Sequence, residues 1–480
     1  LVEKPTQLAR IVEWINSQGI QCTSFRKSDH DDLLFVAAMD GNSKVKQVIN
    51  LRRGTAKTST AKFQKMPDCA CGQFAFDGAG QTGRWAGRLI QPQNLVRIDW
   101  ERDGTAVSYA LWCLGEPWGI DDTYDALCFY QGEDHVLTLL SLCLRAMIVA
   151  EEDHILFGAD FSNIEGRMNA WLADEEWKLE AFKAYDAKTG PDLYKLAYAT
   201  SFGVSVDSVG KGKERQIGKV QELALGFQGG VGAYVSMGDN YGIEPQDLVE
   251  PVRAATDPDI WELVYNNYES APDKHGLPID QWTAIKIIVR GWRKAHPNIV
   301  SHWYALEDAV VAAVSNPGEI YYVYNGKCRY VFDGSFLLCE LPSGRVIAYP
   351  EASLRAEVTE QVQIGGRWQN VDEFFPHEIE ELHAQGAKFW KRTRYSVSFM
   401  GVDPETKQWR PFHLYGGHLC ENIVQAAAAD VLRAAMLRVE ANGFPIILHA
   451  HDEILSHVQI SSDLEKFKAS MLVTDLPWIK

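Results

Sequence analysis

The chain has 480 residues, 46% of them hydrophobic and 23% charged, enough to bury cores in two or three domains and too evenly mixed for long disordered tracts. Its apolar runs, such as Leu139 to Leu142 and Met147 to Ala150, are short and separated by Arg145; no membrane-spanning helix and no secretory leader is expected. The net charge of −17 argues against a nucleic-acid partner until its distribution is read: residues 41–97 hold ten basic and two acidic side chains, a balance of +8 against −25 for the rest. Phosphate binding follows local potential, so one basic stripe suffices, although a solvated charged face is the plainer reading.

Nine cysteines between Cys22 and Cys420, an odd number, fit reduced thiols in a cytosol. Cys69 and Cys71 are the one tight pair, and no two further ligands stand at zinc spacing. In chain order, Gln7 to Asn16 and Lys44 to Arg53 read as amphipathic helices, and Gly78 to Leu95 as an extended loop with turns. Ile155 to Ala159 reads as a buried strand that delivers Asp160 and runs into a helix from about Ser162. Lys178 to Val314 is largely helical, broken at Gly190-Pro191, Gly229-Gly230 and His296-Pro297. Strand pieces follow at Glu319 to Tyr324, Tyr330 to Phe332, Phe336 to Glu340 and Val346 to Tyr349. Gln425 to Val439 is helical, and a hairpin then carries His451, Asp452 and Glu453 at its tip.

Three segments carry chemistry. Asp160 in the run Asp160-Phe161-Ser162-Asn163-Ile164-Glu165-Gly166-Arg167 is an acid at a strand exit, where it serves a site above the sheet edge or caps the next helix. Asp452 and Glu453 in one tight turn repel each other unless a cation or solvent stabilises them, so the turn is either a metal site or an exposed acidic tip. Arg215, Lys219, Leu223 and Phe227 recur every four residues, which stacks two cations and two apolar groups on one helical face. That face suits a nucleoside triphosphate, and equally an ordinary amphipathic helix with a basic end.

Taken in order, DxSxIExR, RxxxK with an aromatic eight residues beyond the lysine, and HDE resemble the three polymerase motifs of family A DNA polymerases, bacteriophage members above all. Further words agree in order: Ala56 to Phe63, Thr82-Gly83-Arg84, Gln93-Asn94-Leu95, Asp192-Leu193-Tyr194, His296-Pro297, Leu341 to Arg345 and Gln425 to Asp430. The resemblance implies an α+β right hand with an antiparallel palm sheet and mostly helical fingers and thumb. Its parts fall at 1–66 (partial thumb), 67–170 (palm, first part), 171–414 (fingers with inserted strands) and 415–480 (palm, second part). It implies a DNA-directed DNA polymerase of phage replication that adds deoxynucleotides to a primer 3′-hydroxyl and releases pyrophosphate. Asp160, Asp452 and the Phe161 carbonyl then hold two Mg2+ ions, with Mn2+ as an alternative, and Glu453 supports them near the primer end. Arg215 and Lys219 bind the β/γ-phosphates, Lys219 also as proton donor; Leu223, Phe227 and His451 line the nucleotide site, and Glu165 is the gate against a ribose 2′-hydroxyl. Arg84 and Gln425 reach the minor groove, while Lys57, Thr58, Gln93 and Asn94 contact the primer or template backbone.

Leu223 stands where bacterial relatives carry Phe, and Phe227 where many carry Tyr, so sugar selection is expected to differ. The span before Lys57 leaves room for neither a proofreading exonuclease nor a 5′-nuclease, the start at Leu1 suggests a fragment, and the stretch from Asn94 to Asp160 is longer than in bacterial relatives, with no role assigned. The expected partners are primer-template DNA and dNTPs, with the processivity factor unassigned. The expected state is a monomer in the cytoplasm of a phage-infected bacterium. A single-subunit RNA polymerase shares the hand and both aspartates but lacks the Glu gate. A silent nucleic-acid clamp has no use for Asp160, Asp452, Arg215 and Lys219 together.

Overall fold

In the computed structural model, which describes residues 7–22, 25, 30–55, 60, 62–63, 71–132, 135–269, 271, 273–364, 367–371, 376–403, 406–472 and 476–479, helices precede any sheet. These are α1 (Leu8–Ser17), α2 (His30–Met39) and α3 (Ser43–Thr55), then the strands β1 (Phe74–Ala79) and β2 (Arg84–Gly87). Next come α4 (Trp100–Gly115), α5 (Ile120–Gln131), α6 (Val136–Ala146) and β3 (His154–Asp160). A helical run follows: α7 (Ile164–Ala173), α8 (Glu176–Asp186), α9 (Leu193–Phe202), α10 (Lys213–Leu225), α11 (Val231–Asn240), α12 (Gln246–Ala255), α13 (Pro258–Tyr265), α14 (Ile279–Ala295) and α15 (Pro297–Ser315). The strands β4 (Ile320–Val323), β5 (Cys328–Phe332), β6 (Phe336–Glu340), β7 (Val346–Pro350), β8 (Ser353–Ile364) and β9 (Arg367–Asn370) come before α16 (Pro376–Ala384). Last are β10 (Lys388–Val402), β11 (Trp409–Leu414), α17 (Gly416–Ala441), β12 (Ile446–Ala450), β13 (Glu453–Gln459) and α18 (Leu464–Met471). No helix among the described residues is long and apolar enough to cross a membrane.

The chain forms two compact units. The first comprises Leu1–Gly78, Trp85–Ala159 and Val439–Lys468. Ile11 and Ile15, one helical turn apart on α1, close a small core with Val45 and Ile49 of α3. The segment between Asn94 and Asp160 folds largely as α4, α5 and α6 around Val107, Ala110, Leu127 and Leu139. A three-stranded sheet in the order β12-β13-β3 is backed by α18, whose Phe467 ring meets Phe157 and Phe444 at centroid distances of 5.7 and 5.4 Å.

The second unit comprises Ala79–Arg84, Asp160–Arg438 and Ala469–Lys480. Its core runs from Trp282 and Ile285 of α14 through Trp303 and Leu306 of α15 to Ile423 and Ala427 of α17. The antiparallel sheet β4-β5-β6-β7 alternates inward Tyr330, Leu337, Cys339 and Tyr349 with outward neighbours, the period-2 pattern of a half-buried sheet. Close packing of α9 on α10 depends on Gly218, where a Cβ would stand 1.9 Å from the Tyr194 carbonyl oxygen.

Two expectations are corrected. Gly78 to Leu95 is not a plain extended loop: β1 and β2 pair across it, and Pro92–Asn94 forms a 3-10 turn. Its glycines hid the strands, although Gly80 and Gly83, with φ of 28° and 66°, are what permit the turn. A second sheet, β11-β10-β8-β9, also lies where strands were expected only up to Tyr349. Much of β8 and β10 is exposed on both faces, so no hydrophobic alternation marked these strands; an eleven-pair antiparallel register, from Lys388 opposite Gln363 to Ser398 opposite Ser353, defines them.

Candidate active site

Asp160 is the last residue of β3 and is exposed. It does not cap a helix. Asn163, with φ 53°, precedes α7, and the turn is tied by Arg167, whose Nε donates to the Ser162 carbonyl at 2.9 Å. The Arg167 guanidinium also forms a two-pronged pair with Asp186 at 2.7 and 2.8 Å. Phe161 packs partly buried against the core of the second unit.

In the first unit, β12 and β13 form a hairpin whose tip is His451, at φ 51°, and Asp452, which is half-buried. Glu453 opens β13 opposite Ala450. Gly158 leaves room beside it, since a Cβ there would lie 3.3 Å from Leu455 and 3.8 Å from Glu453 Oε1. A cavity of about 200 Å³ opens under the hairpin, lined among others by Pro92, Leu95, Arg145, His449 and Glu453. His449 stacks on Phe74 at 4.4 Å and meets the Trp85 edge at 4.7 Å, and burial pushes its pKa down to about 4. Gln93, in the 3-10 turn, is half-buried with its Oε1 unpartnered among the described residues, whereas Asn94 is exposed and donates to Gln91 at 2.9 Å. Lys57 and Thr58 lie outside the described residues.

The second unit brings together words that lie far apart in sequence. Arg84 Nη2 donates to Glu165 Oε1 at 2.5 Å, with both side chains mostly buried. Gln425 donates to Glu421 at 3.0 Å. Burial first, and repulsion from Glu165 besides, raises the Glu421 pKa above the usual carboxylate range. Arg345 Nε donates to Asp430 at 2.7 Å, its Nη2 reaches the Thr82 carbonyl at 3.1 Å, and Arg433 holds the Gly83 carbonyl. The Thr82-Gly83-Arg84, Leu341 to Arg345 and Gln425 to Asp430 words are therefore one hydrogen-bonded assembly.

On α10, Arg215 donates through Nη2 and Nε to Asp192 Oδ2 at 2.8 and 3.1 Å. Asp192 also caps α9 by accepting from the Tyr194 and Lys195 amides. Lys219 Nζ stands 4.7 Å over the Tyr241 ring. Leu223 is half-buried on α10. The expectation of four residues on one helical face is corrected at Phe227, which lies beyond the helix because α10 ends at Leu225 with Gly226 as its C-cap, and packs partly buried against the core. Gly417 lets α17 approach it, because a Cβ there would stand 2.2 Å from the Phe227 carbonyl. Asp160, Glu165, Arg84, Arg215, Lys219, Leu223, Phe227 and Gln425 belong to the second unit; Gln93, Asn94, His451, Asp452 and Glu453 belong to the first.

Behind Arg215 and Lys219 lies a buried cluster that sequence reading missed. Glu222 accepts from Lys178 and from Trp292 Nε1, the latter at 2.9 Å, and His296 Nδ1 donates to the Trp292 carbonyl at 2.8 Å. Burial alone would raise the Glu222 carboxyl, but Lys178 and His296 hold it below its usual value. Burial, then Lys178, pushes His296 down to about 4 against the opposing pull of Glu222. A glutamate on the inner face of a basic helix is the signal that could have found this cluster.

A pH dependence follows. Between pH 6.5 and 4 the unfolded chain takes up the His296 proton while the folded chain does not. The His296 contribution is then flat above pH 6.5 and falls on acidification by on the order of 3 kcal/mol as His296 reaches its folded value. His449, pushed down to about 4 by burial, adds a loss of the same sign in the same window. Glu222, held low, adds a further loss as pH drops through its folded value. Urea unfolding at pH 7, 5.5 and 4.5 should reveal this slope, and His296→Gln should flatten its upper part; an unchanged slope in that variant would assign it elsewhere.

No family model matches the chain. Over 476 residues, 97% of its length, the chain is 30% identical to a DNA polymerase of Bacillus phage SP02. It is similar to a phage DNA polymerase. It spans 59% of that protein. Among solved structures, the polymerase domain of Pol1 from M. smegmatis, determined with DNA primer-template and dNTP, is similar with a TM-score of 0.47 and 14% identity, covering 98% of this chain and 57% of that one.

Proposed function

We propose that the chain is the polymerase portion of a template-directed DNA polymerase of the family A type, acting in phage DNA replication in the cytoplasm of an infected bacterium. The observation that carries this reading is similarity to the phage SP02 polymerase along 97% of the chain, with Asp160, Arg215, Lys219, Glu165 and Asp452 all present in motif order. On this reading residues 1–66 are part of a thumb, 67–170 and 415–480 a palm, and 171–414 the fingers.

Asp160 is exposed at a strand end and Asp452 is half-buried in a hairpin turn, hard oxygen donors of the kind that suit Mg2+, and Mn2+ as an alternative. With the Phe161 carbonyl they would hold two ions, which when bound lower the pKa of the primer hydroxyl and neutralise the triphosphate. Arg215 would exchange Asp192 for the β/γ-phosphates, while Lys219 binds them and donates a proton to pyrophosphate. Glu453 would support the primer end, and His451 would lie by the incoming phosphates or the primer terminus. Glu165 excludes a ribose 2′-hydroxyl, and Arg84 holds its carboxylate where Phe227 supplies no phenol. Arg84 and Gln425 would read the minor groove, with Lys57, Thr58, Gln93 and Asn94 on the DNA backbone.

Primer extension with dNTPs, absent with Asp160→Ala, is the expected result. A preference for NTPs would favour the RNA polymerase reading, and no extension at all a silent clamp. Phe227→Tyr adds a hydrogen-bond donor that can hold Glu165, so it is expected to change the deoxy-to-ribonucleotide ratio more than the deoxynucleotide rate. Equal ratios in both proteins would remove Phe227 from sugar selection.

A further inference from the structure

The first unit carries a cluster that polymerase chemistry does not use. Glu151 and His154 are the first and fourth residues of a turn that opens β3, closed by the His154 amide donating to the Glu151 carbonyl at 3.1 Å. His457 lies toward the far end of β13 from the hairpin tip. Its ring stacks on His154 at a centroid distance of 4.4 Å and an interplanar angle of 9°. One ligand atom each from Glu151, His154 and His457 lies within 4.8 Å of the others.

We infer that Glu151, His154 and His457 form a binding site for a borderline divalent transition-metal ion, zinc above all. Two imidazole nitrogens and one carboxylate oxygen match the donor set of three-ligand zinc sites, which leave a fourth position to water. Magnesium, which keeps several waters and prefers oxygen donors, fits it poorly.

The backbone is already set for such a site. Ile460 donates its amide to the Asp153 carbonyl at 3.2 Å, and His457 donates its amide to the Pro445 carbonyl at 3.1 Å, so the turn and β13 are held in place. His154 Nδ1 lies 3.0 Å from the Glu152 carbonyl, which takes the ring proton there and leaves Nε2 as the ligand atom. His457 Nε2 accepts from the Glu151 amide at 3.2 Å, so it is the unprotonated nitrogen, and an ion would replace that long bond. Metal bonds of about 2.0–2.1 Å in a tetrahedron put ligand atoms roughly 3.4 Å apart, so the three atoms must draw together from within 4.8 Å, and the stacked rings must tilt apart because each lone pair lies in its own ring plane. An ion there would clamp the turn before β3 to β13, at the end of the sheet away from the hairpin tip.

The test is calorimetric titration of the full 480-residue chain with ZnCl2 in the presence of excess MgCl2. The expected result is one zinc equivalent, bound at least tenfold more weakly by His154→Ala and by His457→Ala, with Glu151→Gln intermediate and circular dichroism unchanged. Cysteine is separated from this site with Co2+ as a probe, whose absorption should lack a thiolate charge-transfer band. Absence of zinc binding, wild-type affinity in either histidine variant, or a thiolate band from the tightly bound cobalt would each overturn the assignment. Loss of primer extension in Asp160→Ala with zinc binding retained separates this site from the polymerase reading.

Discussion

Asp160→Asn and Asp452→Asn are each expected to reduce primer extension by about a thousandfold or more without a comparable loss of stability. Each change keeps the side-chain volume and removes one negative charge. If these acids hold the ions that neutralise the transferring phosphoryl group, several kilocalories per mole of transition-state stabilisation go with them, and each 1.36 kcal/mol is tenfold in rate. Asp160 is exposed at the end of β3, where a neutral amide leaves no buried group unpaired, so its unfolding midpoint should hardly move. Single-turnover extension and thermal unfolding, measured on the same preparations, check both halves. Extension near the wild-type rate in either variant would remove that residue from the metal site.

Glu222→Ala is expected to act on the other side of the ledger, costing roughly 3–5 kcal/mol of stability because it leaves a buried charge without its partner. Lys178 and Glu222 have side-chain exposures of 3% and 6%, so solvent cannot replace the lost carboxylate. Trp292 Nε1 would lose its acceptor at the same time. The double variant Lys178→Met with Glu222→Leu removes both charges and should recover much of the loss, since apolar replacement of a buried pair is often neutral or better. Urea unfolding of the single and double variants decides it: a double variant as unstable as Glu222→Ala would mean that packing, not the stranded charge, sets the cost. Because Glu222 lies on α10 with Arg215 and Lys219, the same cluster holds the helix that presents those cations.

Legibility differed by element for physical reasons. The strand ending in Asp160 and the breaks at Gly190-Pro191, Gly229-Gly230 and His296-Pro297 were readable because apolar runs and helix breakers act locally. The expected burial of that strand is corrected: only Phe157 along it is buried and Ile155 is exposed, because its residue types fix a strand and not which faces are covered. β8 and β10 were not, because strands exposed on both faces show no alternation. Asp160 stood open between cap and catalytic acid in sequence. The backbone closed the question of the cap, since Asn163 occupies the position before α7. Arg84 and Glu165 were each singled out, but their pairing across 81 residues was not, since spacing along a chain carries no information about long-range contacts.

The sequence by itself determined the local elements around the acids, the basic face of α10 and the ordered motifs that point to nucleotide chemistry, because periodicity, breakers and residue type are properties of neighbouring residues. Only the tertiary structure decided that Arg215 rests on Asp192, that Arg84 holds Glu165, that Lys178, Glu222 and His296 are buried together, and that Glu151, His154 and His457 converge. Each of these places charge against charge or donor against acceptor between different elements of the chain, and only a folded backbone sets such distances.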